Sequence, residues 1–391
     1  MDLTNIRQWI DQQAPALRVA LQNLVEINTY TANTAGVDAG MDALTTLAET
    51  LGFAVKTINE RHRLVYKPAA SAKPRILLIS HMDTVFPPEG AFQHITELGD
   101  GFLQGPGVGD IKGGLIIGLW AMYALGELLD NHDVQMIVSA DEEKGSPTIR
   151  DWYTGGHVSA DYCIGLEPGF PQGELTPDVD LGVVYQRRGY GAIYFTIHGD
   201  ACHSGTPHLG VDAVESYARR VIDLKALNDW DNGISVTVGM GEGGISPNTV
   251  AGTMKGTVSW RFERLEDGER IRDAIMEILN KSYITNPDSG KQDHVTHELD
   301  AFIPPMERSD ANQYLIDLVI AEAHRLQQNV VPIARGGGSD ANFTSASGTP
   351  SICGMGAPAQ GIHTDSEKIY YPGMLDRIEL LTSTLYRLYT V

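Results

Sequence analysis

The chain has 391 residues, too many for one ordinary hydrophobic core, so two domains are the natural expectation, with three possible. Hydrophobic residues make up 42% and charged residues 20%, the balance of a soluble globular protein, and the formal net charge of −21 argues against nucleic acid or an anionic membrane as partner. The three cysteines, Cys163, Cys202 and Cys353, lie far apart and suggest neither a zinc finger nor a disulfide framework.

The opening "MDLTNIRQWIDQQAPAL" lacks the basic segment and apolar core of a signal peptide, and no run of about eighteen apolar residues is present to span a membrane. A cytoplasmic location follows as the default. In the first fifty residues, "IRQWI" and "LRVALQNLVEI" carry helical spacing, with Pro15 expected to separate them into two helices. "MDALTTLAETLGF" reads as a helix stopped by Gly52. The apolar run "RILLIS" (75–80) leads into "HMDTV", and "GLIIGLWAMYALGELL" (114–129) reads as a strongly apolar helix. "VQMIVSA" and "DYCIGLEPG" are short apolar runs that each stop at acids. This alternation of strands and helices predicts a largely parallel sheet covered on both faces.

The style changes near Arg187. "RRGYGAIYFTIHG" alternates like a half-exposed strand, "VDAVESYARRVIDLKAL" and "DGERIRDAIMEILNK" are amphipathic helices, and "ISVTVGM" and "NTVAGTMKGTVSWRFE" are strands. Together they describe an α+β insert of ordinary domain size. After "AFIPP" the α/β style resumes with "NQYLIDLVIAEAHRL", "SICGMG" and "DRIELLTSTLYRLY". The expected fold is therefore α/β, a mostly parallel sheet covered by helices (1–186 and 303–391), with an inserted α+β domain (187–302).

Ligands of open α/β sheets bind outside the carboxyl ends of the strands. Three apolar runs here end in such groups: His81 and Asp83, Glu142 and Glu143, and Glu167. Asp110 sits in the glycine-rich "GPGVGDIKGG" and His363 in "GIHTD". Each has an ordinary reading: a surface H-x-D, a solvated pair of glutamates, a strand terminator before proline. The glycine-rich loop lacks the G-K-[ST] ending of a phosphate loop. Taken together, so many carboxylates beside two imidazoles are tolerable only around cations, and oxygen and nitrogen donors without thiolate fit zinc, with cobalt or manganese as substitutes. In a strand, Asp83 faces the same way as His81, so it could orient that ring or hold a neighbouring group.

The order His81-x-Asp83, Asp110 in G-x-G-x-x-D-x-K-G-G, Glu142-Glu143, Glu167 and a late His363 resembles the two-zinc exopeptidases and deacylases. That family includes glutamate carboxypeptidase, acetylornithine deacetylase and succinyl-diaminopimelate desuccinylase, and the resemblance covers nearly the whole chain. It implies two metals bridged by Asp110, with His81 and Glu167 completing one site and Glu143 and His363 the other. Glu142 would be the general base, and the Asp110–Ile111 peptide would be cis. "GDACHSGTPHLGVDA" resembles the family's lid motif, making His203 an oxyanion donor to a partner subunit. "SPNTVAG" would bring Asn248, and "VSWRFER" Arg261, to the substrate, and the loop "ARGGGSDANF" could receive a substrate carboxylate on the backbone of Gly337 and Gly338. Each of these lid and loop residues is also readable as an ordinary turn or strand residue. Several positions depart from common family patterns, Ile111 and Asp212 among them. The resemblance implies a two-zinc metallopeptidase, a homodimer through the lid, that releases a C-terminal amino acid such as glutamate from a peptidyl or acyl substrate. The alternatives are an N-acyl amino acid deacylase and, in a different class, a non-catalytic binding or scaffold protein that kept the fold.

Overall fold

The computed structural model describes residues 2–68, 72–155, 157 and 159–390. The chain forms two compact units: Met1–Gln186, Arg308–Arg335 and Ser339–Val391 in the first, and Arg187–Glu307 with Gly336–Gly338 in the second.

The first unit is built on a six-stranded sheet in the spatial order Ala54–Ile58, His62–Tyr66, Asp133–Ser139, Arg75–His81, Tyr162–Gly165, Ser351–Ile352. The last four run parallel. "RILLISH" and "DVQMIVS" are almost wholly buried, as central parallel strands require. Their register places His81 opposite Ser139, so the chain leaves both strands at one sheet edge, into His81–Asp83 and Asp141–Glu143. The helix Gly114–Leu128 packs on these strands. A Cβ at Gly118 would fall 2.7 Å from Met136 Sδ and 2.6 Å from Leu166 Cδ1, so helix and sheet approach closely there. The segment Val108–Leu128 is long and apolar enough to cross a membrane, but its apolar window is 94% buried inside the fold.

Two features of this unit differ from the sequence reading. Pro15 does not divide the N-terminal helix, which runs unbroken from Ile6 to Val25. Pro15 and Asp11, whose carbonyl loses its helical partner, are both exposed, so the missing hydrogen bond falls on the solvent side of the helix. The antiparallel hairpin of Ala54–Ile58 and His62–Tyr66, which extends the sheet, was not anticipated. Its strands are five residues each and carry Lys56, His62 and Arg63, so no clean apolar alternation marks them.

The second unit has an antiparallel sheet in the order Ser235–Gly243, Thr253–Phe262, Gly189–His198, His294–Ile303. Ile193, Phe195 and Ile197 are buried while Tyr194 is exposed, the two-residue period expected of a sheet with one covered face. The buried face meets the helices Ala213–Lys225 and Leu265–Asn280 in a core that includes Trp260, Val258, Leu224 and Ile275. Asp212 caps the first of these helices, accepting the N–H of Val214 at 2.8 Å and of Glu215 at 3.3 Å, a role that Asp and Asn fill equally well. A fully buried ion pair, Arg220 Nη1 to Asp293 Oδ2 at 2.7 Å, ties this core together.

Candidate metal centre

At the sheet edge of the first unit, His81, Asp110 and Glu167 present one donor atom each within 4.8 Å of one another, and Asp110, Glu143 and His363 do the same. Asp110 belongs to both groups. Its Oδ1 lies 3.2 Å from His81 Nε2 and its Oδ2 3.1 Å from His363 Nε2. His81 Nε2 is also 3.6 Å from Glu167 Oε1 and 3.8 Å from Glu142 Oε2, and His363 Nε2 is 3.4 Å from Glu143 Oε2.

Local chain geometry produces this convergence. Glycines let the Asp110 loop press against its neighbours: a Cβ at Gly114 would fall 2.2 Å from the Leu166 carbonyl oxygen, and one at Gly109 2.3 Å from Ala359 Cβ. The Asp110–Ile111 peptide is cis. His363 has a left-handed backbone, φ 63°, a conformation rare outside glycine and Asn that turns its ring toward Asp110.

Asp83 anchors the acidic turn. Its Oδ1 accepts the Glu142 N–H at 3.0 Å, and its Oδ2 accepts the Glu143 N–H at 3.2 Å and the Thr31 hydroxyl at 2.8 Å. The third acid of the run turns away: Asp141 Oδ2 accepts the N–H and hydroxyl of Thr148, at 3.1 and 2.6 Å. The three consecutive acids thus have three jobs, one structural and two facing the cluster.

Two further acids escaped the sequence reading. Glu367 Oε1 accepts the N–H of Gly109 at 2.8 Å and of Asp110 at 3.0 Å, which holds the loop carrying Asp110. Asp340 is buried and accepts the hydroxyls of Ser139 (2.7 Å), Tyr153 (3.2 Å) and Ser146. The position of Glu367, four residues after His363 in "GIHTDSEK", is the one local hint for it; Asp340 gives none beyond its glycine-rich loop.

The electrostatics call for a cation. His81 Nδ1 is 2.9 Å from the Asp83 carbonyl oxygen, which can only accept, so Nδ1 carries the proton; a neutral ring would point its Nε2 lone pair at carboxylates, and against the pull of burial Asp110, Asp83, Glu142 and Glu167 raise the ring well above the usual imidazole range. His81 Nε2, Asp110 Oδ1 and Glu143 Oε1 are buried without a hydrogen-bond partner among the described residues. Burial, reinforced by Glu167, Asp340 and Glu143 against the pull of His81, holds Glu142 well above the usual carboxylate range. Burial likewise raises Glu143. For Asp110 burial is outweighed by His363 and His81, which keep it below that range, and Asp110 and Glu143 push His363 up to about 11. Each imidazole is thus under pressure to carry positive charge. A dication on the same atoms meets that demand, and the donor set of three carboxylates and two imidazoles fits zinc or manganese.

The remaining sequence candidates lie in the second unit, each in its own local setting. His203 is exposed; its Nδ1 accepts the Gly205 N–H at 2.9 Å, so its Nε2 carries the hydrogen and is a neutral donor. Asn248 is exposed, with its side-chain oxygen bonded to the Ser246 hydroxyl and its carbonyl accepting the Ser204 N–H at 2.9 Å. Arg261 stacks on Tyr190, 4.5 Å from the ring centroid, and donates to the Gly336 carbonyl at 2.9 Å. The carbonyls of Gly337 and Gly338 accept from Arg187 Nη1 at 3.0 and 3.2 Å.

The profile described as peptidase family M20/M25/M40 matches residues 77–387. Carboxypeptidase G2 of Pseudomonas sp. (strain RS-16) is 26% identical over 367 residues, covering 92% of this chain and 85% of the relative. A succinyl-diaminopimelate desuccinylase of Marinobacter nauticus is 26% identical over 194 residues, 46% of this chain and 50% of the relative. Among solved structures, an M20 family metallo-carboxypeptidase from Sulfolobus solfataricus superposes with a TM-score of 0.76 at 16% identity, covering 96% of this chain and 99% of that one.

Proposed function

The chain belongs to peptidase family M20/M25/M40, a family of metal-dependent hydrolases, and within it we propose a carboxypeptidase-like enzyme that uses two zinc ions to release a C-terminal amino acid, such as glutamate, from a peptidyl or acyl substrate. One observation carries the reading: the two oxygens of Asp110 each face a different imidazole, and each imidazole has a further carboxylate beside it. On this reading His81, Asp110 and Glu167 hold one ion, and Asp110, Glu143 and His363 the other. Bound there, the ions supply Lewis acidity and lower the pKa of water.

The protein's own part in the reaction is proton handling and position. Glu142 accepts a proton from the attacking water, whose oxygen bonds to the amide carbonyl carbon. As the C–N bond breaks, Glu142 passes that proton to the departing nitrogen. Asp83 fixes the Glu142 backbone for this task and turns His81 by way of its own carbonyl. His203 offers a neutral N–H for the developing oxyanion in a homodimer formed through the second unit, where Asn248 and the Gly337–Gly338 loop also serve the substrate. Arg261 offers a planar fork for the substrate's free carboxylate.

A second reading, N-acyl amino acid deacylation, has the desuccinylase likeness in its favour and shares all of this chemistry. The non-catalytic alternative is disfavoured because Glu142 and all five proposed ligands are present. The test compares zinc content and turnover of acyl-glutamate and acylated amino acids in Glu142→Ala and Glu143→Ala. Glu142→Ala should lose turnover and keep two zinc ions, and Glu143→Ala should lose zinc; activity in both variants would refute the assignment.

A further inference from the structure

Glu142 and Glu143 open a short helical turn, Glu142–Lys144, that lies between two fully buried serines, Ser139 and Ser146. Ser139 is the last residue of the strand Asp133–Ser139, where it pairs with His81. Ser146 closes the turn. Its N–H donates to the Asp141 carbonyl at 3.1 Å, and Gly145 (φ 80°) and Ser146 (φ 54°) both have left-handed backbone. One carboxylate joins the two ends. Asp340 accepts the Ser139 hydroxyl on Oδ2 and the Ser146 hydroxyl on Oδ1, and Tyr153, on the helix Arg150–Thr154, donates to Oδ2 as well. Asp83 holds the middle of the same segment through the N–H groups of Glu142 and Glu143. The acidic turn is thus pinned at its centre by one carboxylate and at both ends by another.

Asp340 is 2% exposed, and its partners among the described residues are three neutral hydroxyls rather than a cation. Burial raises its pKa, and the Ser139 and Ser146 hydroxyls oppose the rise. Burying a carboxylate among neutral groups is costly, and replacing such a group and its partners by apolar ones is often neutral for stability. What the carboxylate supplies, and an apolar side chain cannot, is a two-oxygen bridge between residues 139 and 146.

We infer that Asp340 is a positioning residue: by clasping Ser139 and Ser146 it sets where Glu142 and Glu143 stand against the two imidazoles. Glu142 Oε2 lies 3.8 Å from His81 Nε2 and Glu143 Oε2 3.4 Å from His363 Nε2, so a shift of about one ångström in the turn moves both acids off their partners. For catalysis this rests on the proposed role of Glu142; the hold of Asp340 on the turn does not.

The test compares wild type, Asp340→Ala and Asp340→Asn well below their Tm, by hydrogen exchange, by chelator competition for zinc and by kinetics at saturating zinc. The N–H groups of residues 142–146 are all hydrogen-bonded, so their exchange reports on the turn itself. Asp340→Ala should quicken their exchange roughly tenfold or more, beyond any change in the rest of the first unit. It should also weaken zinc affinity and lower kcat, each roughly 10- to 100-fold, while KM changes by less than about twofold. Asp340→Asn keeps the shape, and hydroxyls can accept as well as donate, so it should restore the slow exchange and most of kcat. Should Asp340→Ala fail to fold, Ser146→Ala cuts one arm of the clasp and should show the same changes on a smaller scale. If wild type turns over no substrate, the proposed reaction fails, and exchange and zinc affinity still decide the role of Asp340. Exchange and zinc affinity unchanged in Asp340→Ala, whatever its Tm, or Asp340→Asn as impaired as Asp340→Ala, would overturn the inference.

Discussion

The sheet-edge cluster of the first unit and the exposed candidates of the second are held in opposite ways. Around Asp110 several groups have a support: Asp83 grips the backbone of Glu142 and Glu143, Glu367 grips that of Gly109 and Asp110, and the Asp83 carbonyl orients His81. The side chains of His203 and Asn248 are exposed, and each bonds within its own turn, to Gly205 and to Ser246. The backbones of Glu142, Glu143 and Asp110 are thus held by carboxylates distant in sequence, while the side chains of His203 and Asn248 bond within their own turns. Reacting atoms need placement within fractions of an ångström, whereas a binding surface can adapt to its ligand.

This contrast predicts how substitutions should rank. Glu142→Gln should have the largest effect, roughly 10²–10⁴-fold in kcat, with zinc content unchanged. Metal analysis beside steady-state kinetics checks it, and a parallel loss of zinc would move Glu142 into the ligand set.

The next effect concerns stability in the second unit. Asp293→Ala leaves Arg220 buried and unpaired, which should cost about 3–5 kcal/mol, as measured by denaturant unfolding. The pair also sets a pH dependence. Burial alone would raise Asp293, but Ser216, the Ile284 N–H, Arg220 and Ser282 outweigh it and hold its pKa at about 2. A depressed carboxyl stabilises the fold above its unfolded pKa of about 3.9, and that contribution drains away as the pH falls toward 2. Hydrogen exchange in the second unit should therefore quicken between about pH 4 and pH 2, and Asp293→Asn should flatten that dependence.

Glu367→Ala tests the supports directly. It removes the acceptor for two loop N–H groups and should weaken zinc affinity roughly 10- to 100-fold, measured by chelator competition. The smallest effect is expected at the adaptable end. Arg261→Lys should raise KM roughly tenfold for substrates with a free carboxylate and leave kcat nearly unchanged. A fall in kcat as large as that of Glu142→Gln would erase the distinction between the two regions.

The same contrast marks what was legible in the sequence. His81, Glu142, Glu143 and Glu167 were readable because charged residues directly after buried strands are costly without a purpose, and the parallel order of the strands puts them at one edge. The division of labour among Asp141, Glu142 and Glu143 was not, because it depends on Asp83, which lies about sixty residues earlier, and on a turn that brings Thr148 back to Asp141. Glu367 and Asp340 stayed hidden for the same reason: their partners are distant backbone N–H groups and hydroxyls that no spacing reveals. Pro15 misled because a helix breaker on a solvent face costs little. The hairpin from Ala54 to Tyr66 was missed because its strands are short and carry charges.

The central claim is that Asp110 joins two cations. Zinc stoichiometry on the full chain, by equilibrium dialysis and elemental analysis of wild type and Asp110→Ala, tests it most directly. Two ions per chain are expected in wild type, with a loss of affinity at both positions in the variant. One ion per wild-type chain, or two held as tightly without Asp110, would contradict it.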